Sequence, residues 1–181
     1  EQEAYLLIEE KKREILEIVG EYHYGVNDDS LASKLVDMLL ENKLTIAAAE
    51  SLTAGLFQSE LAEISGVSSV LVGGVVTYTE QAKTEQLGIS THVLEHHGVV
   101  SSECAAEMAL KVREKFGTAI GVGLTGVAGP GSHDGQPAGT VWVGISIGNN
   151  PPLTYRLQLS GARNTNRLRA VKFTFSYLMR E

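Results

Sequence analysis

Cysteine is nearly absent from this 181-residue chain, which holds one, Cys104. A single thiol excludes an internal disulfide framework and a zinc site built on cysteines. Prolines number four, and no apolar run approaches the ~20 residues that a membrane-spanning helix needs. Positive charge is in the minority: the net charge is −7, which argues against the basic surface of a nucleic-acid scaffold. No signal peptide is visible, although the chain starts at Glu1 rather than Met, so the simplest expected compartment is the cytoplasm and the chain reads as part of something longer. What the chain does have is glycine, nineteen residues of it, which predicts many tight loops. Its 43% apolar and 20% charged residues match an ordinary soluble globular protein, long enough for one good-sized domain and short for two.

The hydrophobic periodicity divides the chain at about residue 30. Residues 3–19 read as a charge-rich amphipathic helix with Leu6, Leu7, Ile15, Ile18 and Val19 as its apolar positions, followed by a linker to Asp29. We read 1–29 as a connector or arm and 30–181 as the compact domain. Within that domain helices are expected over 31–42, 53–64, 80–87, 92–97, 102–116 and 165–179, and strands over 44–49, 70–77, 119–124, 140–147 and 153–159. Strands alternating with helices predict an α/β fold, a three-layer αβα arrangement around a mostly parallel (mixed) central sheet.

Four segments carry residues suited to chemistry. In Thr45-Ile-Ala-Ala-Ala-Glu-Ser51-Leu-Thr53-Ala-Gly55 an apolar strand ends in Glu50-Ser51 and a helical pattern begins at once. A serine at such a turn reads either as a helix cap or as a nucleophile beside helix N–H groups that can hold an oxyanion. In Gly73 to Lys83, Tyr78 and Lys83 fall just past a strand end, where α/β proteins place their sites, and a partly desolvated lysine can deprotonate a serine. The glycines of Thr125-Gly126-Val-Ala-Gly129-Pro130-Gly131 allow close backbone approach to a ligand, without the pattern of a nucleoside-triphosphate loop. Arg163 and Arg167 cluster at the start of the last helix, against its macrodipole, which makes sense if an anion sits between them; a solvated basic face is the other reading. His92 and His96 have the spacing of a metal pair but no evident third ligand, and Cys104 reads as a small packed residue.

Together these segments resemble the C-terminal domain of the CinA family of competence/damage-inducible proteins, also found alone as the bacterial nicotinamide mononucleotide deamidase PncC. The family pattern AESCTGG, VTYxxxxK, TGxAGPxG…PxGTV and SGDRxxxR is matched in order by Ala49–Gly55, Val76–Lys83, Thr125–Gly131 with Pro137–Val141, and Ser160–Arg163 with Arg167. The departures are Leu52 for Cys, Ala54 for Gly and Ala162 for Asp. The resemblance implies hydrolysis of the carboxamide of nicotinamide mononucleotide to nicotinate mononucleotide and ammonia, in pyridine nucleotide recycling. For that substrate the residues supply Ser51 as nucleophile, Lys83 as general base and Tyr78 completing the proton relay, with substrate contacts expected from Glu50, Thr53, Gly55, Thr125, Gly126, Gly129, Arg163 and Arg167. The further expectations are no metal or organic cofactor, a homo-oligomer (dimer), no direct nucleic-acid or membrane binding, and a molybdopterin-binding-like N-terminal domain upstream. The competing expectation is a non-catalytic nucleotide-sensing or interaction module using the same pocket.

Overall fold

The computed structural model describes residues 2–181. Its elements follow the expected order: α1 (Gln2–Val19), α2 (Leu31–Glu41), β1 (Ile46–Glu50), α3 (Leu56–Ala62), β2 (Leu71–Val76), α4 (Glu80–Leu87), α5 (Thr91–His97), α6 (Ser102–Phe116), β3 (Ile120–Gly126), β4 (Thr140–Ile147), β5 (Leu153–Gln158) and α7 (Arg163–Leu178). One five-stranded sheet runs in the order β2-β1-β3-β4-β5. The first two pairings, β1 with β2 and β1 with β3, are parallel, whereas β3–β4 and β4–β5 are antiparallel. The sheet is therefore mixed in equal measure, more antiparallel than the expected majority of parallel strands. The reason is local: no helix separates β3, β4 and β5, and without a crossover the chain must return in the opposite direction.

Helices cover both faces. On one, α2, α3 and α7 pack on Ile46, Ala48, Val122, Leu124, Val143 and Ile145, with Phe57 against Phe175 at a 5.1 Å centroid distance. On the other, Ala47 and Ala49 meet Cys104, Met108 and Val112 of α6, with Leu87 and Ile89 from the end of α4. The β3 sequence Ile-Gly-Val-Gly-Leu-Thr-Gly encodes this asymmetry, branched side chains toward one layer and glycines toward α6. Gly123 lies opposite Gly144 of β4, and a Cβ on either would stand 2.4 Å or 2.1 Å from the Ala105 carbonyl oxygen of α6. Several glycines thus serve close helix–sheet packing, a use that the expectation of loops did not include.

Candidate active site

The carboxyl ends of the three parallel strands converge at the middle of the sheet. Glu50, the last residue of β1, lies in register between Val76 of β2 and Leu124 of β3. Two backbone bonds extend the pairing one residue further, from Ser51 N–H to the Leu124 carbonyl at 2.8 Å and from Thr77 N–H to the Glu50 carbonyl at 2.9 Å. The chain then leaves the sheet through a turn in which Ala54 (φ +50°) and Gly55 (φ +91°) are left-handed, and α3 starts only at Leu56. The N-cap of α3 is Gly55, without a side-chain bond. Ser51 is therefore not the helix cap.

The Ser51 hydroxyl instead meets Lys83. Thr79 caps α4 through a bond from the Ala82 N–H, and one turn in, Lys83 points back beneath the end of the sheet. Its Nζ lies 3.0 Å from Ser51 Oγ and donates to the Thr77 carbonyl at 2.9 Å. The lysine is 1% exposed and Ser51 8%. Burial pulls the Lys83 pKa down, opposed in smaller measure by Cys104 and Glu80. Cys104 stands on the far side in the apolar layer, its thiol pushed up to about 11 chiefly by burial, so it is a neutral packed group.

Ser51 and Lys83 open into a cleft of about 670 Å³. Tyr78, Thr125, Gly126, Gly129 and Arg163 also line it, so the structure gathers seven of the eleven residues singled out from the sequence. The Thr125 hydroxyl donates to the Val99 carbonyl at 2.6 Å, which ties the end of β3 to the loop before α6. Arg163 crosses the cleft from the start of α7, donating to the Gly129 carbonyl at 3.1 Å and to the Tyr78 hydroxyl. Its helix starts at Arg163, and the N-cap before it, Ala162, makes no side-chain cap bond where the family pattern has an aspartate.

The other four take different places. Glu50 is fully buried, and its carboxylate accepts from the N–H groups of Gly55 (2.9 Å), Phe57 (3.1 Å) and Gln58 (3.1 Å) and from the Gln58 side-chain amide (3.0 Å). It holds the α3 start and lies outside the cleft lining, and it occupies amides expected to hold an oxyanion. Thr53 is fully buried and Gly55 belongs to the turn. Arg167 reaches away from the cleft, its Nε to the Leu52 carbonyl (3.0 Å) and its Nη2 to the Thr53 carbonyl (2.7 Å). Tyr78 likewise departs from the expected relay, because its hydroxyl is bound to Arg163 rather than to Ser51 or Lys83.

Sequence reasoning missed the other walls of the cleft. Val99 and Val100 form an apolar side, and Glu80, Ser132 and His133 complete the rim. Asp134 accepts from the Val100 N–H at 3.1 Å, while buried Asn166 donates to the Ala128 (3.0 Å) and Gly161 (3.1 Å) carbonyls. An asparagine amid the α7 arginines was the available signal for the last of these. Among the described residues no group of three or more His, Cys, Asp or Glu side chains is placed to hold a metal ion, and the His92 and His96 rings lie 4.1 Å apart on exposed α5.

A family model described as the CinA C-terminal domain matches residues 28–181. A protein of Lysinibacillus sphaericus that bears the name competence-damage inducible protein is 66% identical over 179 residues, and one of Listeria welshimeri with the same name is 48% identical over 177. These alignments cover 99% and 98% of this chain but 43% of each relative, so the chain spans less than half the length of the relatives it matches. Among solved structures, a CinA superfamily protein from Escherichia coli superposes with a TM-score of 0.80 at 32% identity, covering 89% of this chain and 96% of its own. A competence damage-inducible protein A from Klebsiella pneumoniae gives a TM-score of 0.81 at 29% identity, covering 83% and 94%.

Proposed function

The chain belongs to the CinA C-terminal domain family, and on that premise we propose that it hydrolyses the carboxamide of nicotinamide mononucleotide, using Ser51 as nucleophile and Lys83 as general base. The observation that carries this reading is the 3.0 Å contact between Ser51 Oγ and the Nζ of a buried lysine whose other partner is a carbonyl. A lysine drawn below its ordinary pKa presents a lone pair to the serine hydroxyl, and the Thr77 carbonyl fixes the direction of that lone pair. The serine–lysine pair resembles no helix cap, and the group that orients its base is a backbone carbonyl.

In the reaction Lys83 takes the Ser51 proton as Oγ bonds to the carboxamide carbon. The carbonyl oxygen becomes an oxyanion, for which the donor we assign is the Leu52 N–H, engaged by none of the described residues. Lys83 then returns the proton to the leaving nitrogen, the C–N bond breaks and ammonia departs, leaving an ester on Ser51. Water, deprotonated by Lys83, attacks that ester; the carboxylate product leaves and the serine regains its proton. Arg163 supplies the cleft with a guanidinium suited to the phosphate, and Val99 and Val100 offer an apolar wall for the pyridine ring. In the longer relatives we place a further domain upstream of residue 30, molybdopterin-binding-like by family resemblance.

Ammonia release from nicotinamide mononucleotide by the purified chain tests the proposal, with nicotinate mononucleotide expected in equal amount. Tight binding of the nucleotide without ammonia would make the domain a nucleotide-sensing module instead.

A further inference from the structure

The turn that carries Ser51 is gripped from two sides by charged groups that stand behind it. A turn presents N–H groups on one side and carbonyls on another; a carboxylate can only accept and a guanidinium can only donate. Glu50 takes the N–H groups of Gly55, Phe57 and Gln58, and Arg167 takes the carbonyls of Leu52 and Thr53, the two residues directly after Ser51. Both groups are drawn from neighbouring rigid elements, Glu50 from the buried end of β1 and Arg167 from the first turns of α7.

We propose that Arg167 is a positioning residue for Ser51, closing with Glu50 a two-sided clamp on turn 51–55. This rests on the serine–lysine reading above. The turn needs such support, since Ala54 is held at φ +50°, a conformation that persists only where the surroundings over-determine it. The arginine fork suits the task because Nε and Nη2 meet two consecutive carbonyls at 3.0 and 2.7 Å, and the remaining arm, Nη1, is steadied by Asn164 Oδ1 at 3.2 Å. All three recorded partners of this guanidinium are neutral oxygens. A lysine is a point donor on a flexible stem and cannot span both carbonyls. Arg163 and Arg167 thus divide the labour: the first faces the ligand, and the second faces the backbone of the nucleophile.

The test uses Arg167→Lys and Arg167→Ala in the whole chain. A misplaced nucleophile lowers kcat, so both variants should lose roughly ten- to a hundredfold in kcat while KM stays within about twofold. Amide hydrogen exchange over residues 51–58 should quicken by about tenfold or more, with α6 unchanged, because the turn opens locally once its carbonyls are released. A raised KM at constant kcat would make Arg167 a substrate ligand and overturn the clamp, as would unchanged exchange over 51–58. Should Arg167→Ala fail to fold, the lysine variant decides on the same two readouts. If the wild-type chain releases no ammonia, the serine–lysine reading falls by itself and the exchange measurement still decides the clamp.

Discussion

In the proposed mechanism the chemistry turns on Lys83, a primary amine at 1% exposure bonded to a hydroxyl and a carbonyl. Only its neutral form can accept the serine proton, so kcat/KM should rise with pH, with a midpoint below the ordinary lysine range; a pH–rate profile with no ascending limb below that range would exclude it as the base. The same burial has a consequence for stability. Between the depressed folded pKa and the ordinary unfolded value the unfolded chain binds the extra proton, so this group makes the fold more stable as pH rises through that window, and below it the full cost of burying the ammonium is present. Lys83→Met should accordingly unfold in denaturant at a midpoint no lower than the wild type while losing activity. The role we propose for Arg163 is of the opposite kind, in binding. A charge-assisted pair with the substrate phosphate contributes about 1.5–3 kcal/mol, so Arg163→Ala should raise KM for nicotinamide mononucleotide roughly ten- to a hundredfold and leave that for nicotinamide riboside nearly unchanged. Ser51 was legible in the sequence because it directly follows a recognisable strand end, and Lys83 because it lies one helical turn beyond the next one. The partners of Tyr78 and Arg167 were not, since Arg163 lies 85 positions from Tyr78 and the Leu52 carbonyl 115 from Arg167, and no local pattern encodes such contacts.

At the scale of elements, the helices over 80–87 and 102–116 end where the sequence places them, because Thr79 and Ser101 cap their starts and Gly88 and Gly117 adopt the left-handed conformation at their ends. The start of α3 was not legible. The expected helix from residue 53 gives way to a turn through 55, because the Glu50 carboxylate reaches forward to the Phe57 and Gln58 amides, which a helix starting at 53 would have used internally. Nor was the equal split of parallel and antiparallel pairings, since apolar runs such as 119–124 carry no direction of their own. The role of strand glycines gives a test at this scale. Gly144→Ala would place a Cβ 2.1 Å from the Ala105 carbonyl carbon's oxygen, pushing α6 off the sheet, and should cost about 1–3 kcal/mol in equilibrium unfolding. Because α6 also walls the layer behind Lys83, activity should fall with stability in this variant.

Across the whole molecule, the family match runs over 28–181 and so begins after α1. No residue of α1 is buried, and Ile18 is 82% exposed. We therefore expect a chain that begins at residue 20, without α1, to keep its kcat and to melt within about 2 °C of the full chain, since α1 contributes no buried residue. A large fall in Tm on scanning calorimetry would instead make the arm part of the folded unit. The net charge of −7 is unevenly spread, for α7 carries four basic residues and no acidic one, and it is the end of this helix that faces the cleft. A chain repelling anions overall can still draw a phosphate to that end.

The most direct test of the serine–lysine unit is a double-mutant cycle on ammonia release, comparing Ser51→Ala, Lys83→Met and the two combined. Residues acting on the same proton are non-additive, so each single variant should lose activity about as completely as the pair, and the combination should be hardly worse than either. Losses that multiply, or a Ser51→Ala enzyme that turns over near the wild-type rate, would contradict the mechanism.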